Sequence, residues 1–63
     1  MILKDAIQAV MSDPEAKARH PEGFTAVDVL DEIRIKEPGA FPLCTWLDVY
    51  DDMREMYGDP RRA

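Results

Sequence analysis

The chain has 63 residues, one cysteine, and 13 Asp or Glu against 8 Lys or Arg, for a net charge of -5. That length allows one domain at most, 1–63, of a size that buries only about 60% of its unfolded surface. The excess of acid works against nonspecific binding to nucleic acid and to membrane surfaces, since both depend on Lys and Arg, and a lone Cys44 excludes a disulfide within the chain.

Hydrophobic residues make up 46% of the chain, enough for a folded domain rather than a disordered one despite 33% charge. The stretch "MILKDAIQAVMSDPEAKAR" has acids early and no long apolar core. It reads as neither a signal peptide nor a membrane span. One unpaired thiol fits a reducing compartment, so a cytoplasmic location is expected.

No segment alternates with period two over a useful length, so no strand is expected. Leu3, Ala6, Ile7 and Val10 repeat at helical spacing and predict a first helix over about 2–12. Ser12 and Asp13 end it. Asp13 can then cap a short turn over about 14–19, with Pro14 at its first position and Glu15 at the positive end of its dipole. Pro21 stops that turn, because it disfavours helical geometry at His20.

The next element, "FTAVDVLDEIRIKEPG", predicts a helix over about 26–36. Thr25 can cap it, Asp28 stands where a capping-box acid would, and Phe24 and Val29 fall at the two positions of a hydrophobic staple. Val27, Leu30 and Ile33 supply the expected buried stripe, broadened by Ala26 and Val29. Arg34 and Lys36 suit the carboxyl end, and Pro38-Gly39 stops the run.

The last helix is expected over about 43–57. Either Pro42 is its first residue, or Thr45 caps it with Asp48 three places on. Leu43, Trp46, Leu47, Tyr50, Met53 and Tyr57 recur at spacings of three and four, with Val49 and Met56 widening the apolar face. Gly58 can provide a left-handed carboxyl cap, and 61–63 are expected to be a frayed tail. The fold class is therefore all-α: a small three-helix bundle with one short extra turn.

A first helix, a second opening "FTAVDVLDEI", a connector and a longer third helix resemble the core of helix-turn-helix and winged-helix domains. The likeness covers about 2–57 and implies DNA recognition by the third helix. The chain departs from it in its long connector "KEPGAFPL" and in showing no wing strands. It departs most in charge. The helix that would meet DNA carries Asp48, Asp51, Asp52 and Glu55 against Arg54 alone. Carboxylates brought to phosphates repel them and release no counterions.

Those four acids are spaced i, i+3, i+4, i+7, which makes one stripe. Asp28, Asp31 and Glu32 extend the acidity on the preceding helix, and from Asp28 to Asp59 there are nine acids and three bases. Such a stripe can be merely the solvated side of an amphipathic helix. It can also be a docking face for a basic protein. With a rise of about 1.5 Å per residue it places roughly one charge every 3.5 Å, near the 3.4 Å phosphate spacing of a DNA strand, which would permit nucleic-acid mimicry.

Trp46, Tyr50 and Tyr57 are expected in the core by their spacing, as are Met53 and Met56, although aromatics also serve interfaces. Catalysis is not expected: Cys44 and His20 are isolated, and no nucleophile–base pair can be read. No paired ligand spacing indicates a metal site, and no motif indicates a cofactor.

The expected function is binding: a small acidic protein-binding regulator or inhibitor. In size and charge it resembles the accessory and inhibitor proteins of bacteriophages. Its contacts would be Asp48, Asp51, Asp52 and Glu55, with Asp28, Asp31 and Glu32 as the next ring. The partner would be a basic protein, and homo-oligomerisation stays open. The alternative is a winged-helix or helix-turn-helix DNA-binding transcriptional regulator.

Overall fold

A computed structural model describes residues 2–58. The elements are all helical: α1, Leu3–Met11; α2, Pro14–Arg19; α3, Ala26–Lys36; and α4, Trp46–Tyr57. The architecture is a small all-α bundle in which α1, α3 and α4 pack against one another and α2 lies on the side. The expected frayed tail, 61–63, falls outside the described residues.

Local signals set the helix ends. Asp13 caps α2 by accepting a hydrogen bond from the Glu15 N–H at 3.1 Å, and Pro14 opens the helix. At the start of α3, Thr25 Oγ1 accepts from the Asp28 N–H (3.2 Å) and Asp28 accepts from the Thr25 N–H (3.0 Å), a reciprocal capping box. Half of that device begins α4 at Thr45, whose N–H donates to Asp48 at 3.0 Å. Pro42 and Leu43 therefore precede α4 rather than open it. Gly58 ends α4 at φ 86°, ψ -157°. This is not the left-handed helical well expected for it but a region essentially reserved for glycine.

The core is built from Ala6, Ile7 and Val10 of α1, Ala26, Val29, Leu30 and Ile33 of α3, and Val49 and Met53 of α4, closed by Ala16 and Phe24. Phe24 and Val29 are both buried, as a staple requires. Val27 does not join the stripe expected of it and is exposed. On α4 the buried line runs through Val49 and Met53, which leaves Trp46 and Tyr57 exposed and Tyr50 and Met56 half-buried. Trp46 and Tyr57 thus correct the expectation of a core role. The reason is coverage: α1 and α3 pack along the Val49–Met53 line, and no further helix among the described residues lies over the rest of that arc. An apolar arc as wide as that of α4 cannot all be covered.

Between α3 and α4 the chain turns at Phe41, which has φ 51°. Positive φ is uncommon for a bulky residue, and the following Pro42 narrows the choice further. Phe41 holds it while packing on the core. An amino group of Arg34 donates to the Cys44 carbonyl at 3.1 Å, tying the end of this connector to α3.

Candidate protein-binding surface on α4

The expected acidic residues divide between two places. On α3, Asp28, Glu32 and Lys36 recur every four residues and so share one face. That face meets α2, which runs antiparallel alongside. Lys36 Nζ lies 2.9 Å from Asp13, at the start of α2. Glu32 takes the Arg19 Nε–H at 2.9 Å on one oxygen and a second Arg19 group on the other. His20 lies 3.1 Å from Glu32 through Nε2 and 3.7 Å from Asp28 through Nδ1, and its ring packs on Phe24 at 5.2 Å.

Glu32 is therefore a correction. Expected as a contact residue, it is only 2% exposed and is occupied by the chain's own cations. The Arg19 hydrogen bond, seconded by that of His20, holds its carboxyl down to about 2 against the opposing effect of burial. Asp28 is engaged by the capping box and by His20. Of the expected second ring, Asp31 alone is exposed and pairs with no cation among the described residues.

The α4 acids stay together. Asp48, Asp51 and Asp52 line an open groove of about 340 Å³ whose other walls are Leu3, Phe41 and Cys44. Asp48 also serves the Thr45 cap. Asp51 and Asp52 form no ion pair among the described residues. Glu55, one turn on, lies 2.9 Å from Lys4 Nζ at the start of α1. That hydrogen bond raises the lysine's pKa, with Asp52 adding to the effect. The pair is exposed, so Glu55 is tethered only weakly.

Two further features bear on chemistry. Burial, with Asp48 behind it, pushes the Cys44 thiol up, away from the thiolate that a nucleophile needs. Among the described residues, no group of three His, Cys, Asp or Glu side chains converges as metal ligands would, and no helix is long and apolar enough to cross a membrane.

What the sequence pattern hid is apolar. Leu43, Trp46 and Leu47 are 92%, 48% and 53% exposed, within five residues of one another at the start of α4. The signal that could have found them was Thr45: a cap there removes Leu43 from the helix and turns the buried line toward Val49 and Met53. No family model matches the chain, and no curated protein or solved structure is significantly similar to it.

Proposed function

We propose that this chain is a small protein-binding regulator or inhibitor that docks a basic partner through the acidic side of α4. The observation that carries this reading is the grouping of Asp48, Asp51 and Asp52 along one open groove, with Asp51 and Asp52 in no ion pair among the described residues. Glu55 belongs to the same side and can exchange Lys4 for a partner's cation, because an exposed pair contributes little. Such a face attracts a basic surface and speeds encounter with it. The chain's size and charge match the analogy with phage accessory proteins that block a nucleic-acid-binding partner, and the single free thiol supports a cytoplasmic setting.

The test is charge reversal. Affinity capture with the wild-type chain should retain basic proteins at low salt and release them as salt rises. The D51K/D52K double variant should retain far less. A gel shift with nonspecific duplex DNA provides the opposing arm: tight low-salt binding by the wild-type chain would overturn the protein-binding reading in favour of a DNA-binding regulator, for which the same substitutions would strengthen binding.

A further inference from the structure

The acidic side of α4 already holds one cation, and that cation belongs to the chain itself. Leu3 opens α1 and forms one wall of the groove that Asp48, Asp51 and Asp52 line. The next residue, Lys4, reaches across to Glu55, with Nζ at 2.9 Å. Asp52 attracts the same ammonium through its charge. Nothing in α1 asks for a cation there. Lys4 is the second residue of that helix, where the positive end of the dipole disfavours a positive charge. The contact is also a weak source of stability, because both side chains stay open to water, at 39% and 68% exposure. An ammonium placed against the preference of its own helix thus rests on two carboxylates of α4.

We propose that Lys4 is an internal competitor for the α4 docking surface, seated where a cation of the basic partner docks and displaced from Glu55 when the partner engages. This rests on the acidic-face reading above and adds a regulating contact to it. Asp51 and Asp52 stand in no ion pair among the described residues and take the first contact, whereas Glu55 becomes free only when Lys4 leaves. A single cation on the partner gains one carboxylate and leaves Lys4 in place. A run of cations engages the stripe and offsets the pair it breaks. The contact therefore selects partners by their density of positive charge.

The full chain and its K4M, K4R and K17M variants are titrated calorimetrically with oligolysine at low salt. Lys17, on α2, is exposed and forms no ion pair among the described residues. K17M therefore changes the net charge as K4M does but leaves Glu55 occupied. K4M should bind roughly two- to fivefold more tightly than K17M, the range an exposed pair supports. K4R keeps the internal cation and should bind as the wild-type chain does. In an E55Q background the gain from K4M should shrink. Melting temperatures should not move, since the pair is exposed.

Equal affinity in K4M and K17M, a gain in K4R as large as that in K4M, or a K4M gain undiminished by E55Q would overturn the competition. The acidic-face reading would survive any of these if D51K/D52K lost binding. Oligolysine binding that D51K/D52K left intact would overturn the acidic face and the competition with it. So would the absence of binding to both the wild-type chain and K4M.

Discussion

Arg19, the last residue of α2, grips both carboxylate oxygens of Glu32, which lies buried on α3 thirteen residues further along the chain. No buried side-chain polar atom among the described residues lacks a hydrogen-bond partner, so the arrangement stands only while both residues are present. Glu32→Ala leaves Arg19 and His20 without their acceptor. Arg19→Ala leaves a carboxylate buried with His20 alone. Breaking such a pair by removing one partner costs about 3–5 kcal/mol when fully buried. Arg19 is half-exposed, so solvent screens the contact and the expected loss falls below that range for each single variant. Urea denaturation of each single variant measures it, and a double-mutant cycle closed with R19A/E32A isolates the coupling.

The same contact makes stability depend on acid. The carboxyl of Glu32 is lowered from 4.5 to about 2, chiefly by Arg19. The unfolded chain therefore binds a proton at higher pH than the folded one does, and stability rises with pH across that interval. Its contribution is complete above pH 4.5 and is lost as pH falls toward 2. Asp13 is lowered too, by Lys36 first and by the Glu15 N–H second, so its effect has the same sign. Denaturation midpoints across this range should show the slope, and Glu32→Gln should flatten it.

Asp48 has two roles that substitution can separate. Asn keeps an oxygen for the Thr45 N–H but removes the charge, whereas Ala removes both. Asp48→Asn should unfold within about 0.5 kcal/mol of the wild-type chain yet retain less basic protein in affinity capture. Asp48→Ala should also lose roughly 0.5–1 kcal/mol of stability with the cap. Thermal melts beside affinity capture distinguish the two, and equal melting of both variants would remove Asp48 from the cap.

Truncations along α4 should divide sharply by side. Met53 is fully buried, so Met53→Ala should cost about 2–5 kcal/mol. Leu43→Ala and Leu47→Ala should stay within about 0.5 kcal/mol, as surface substitutions do. A large loss at either leucine would place it in the core.

Much of the fold was legible because its signals are local. The Thr25–Asp28 box, the Phe24–Val29 staple and the Asp13–Pro14 start each lie within a few residues of chain, where spacing alone specifies geometry. Glu32 was not legible. Nothing at its position distinguishes it from Asp31 beside it, because what buries it is α2 laid across that face, and such pairing is tertiary. Trp46 was misread for a related reason. Helical spacing shows which residues are neighbours on α4 but not how much of an apolar arc the other helices are wide enough to cover.

The side-on attachment of α2 has a kinetic meaning. Its six residues are too few to stay helical unsupported. Its one core residue is the small methyl of Ala16, while Asp13, Arg19 and His20 provide polar contacts to α3. Low pH and concentrated salt loosen those contacts far more than they loosen the apolar packing of Ile7, Val29 and Met53. Amide hydrogens of 14–20 should accordingly exchange with solvent earliest, and a protease should nick this stretch before the remaining helices part.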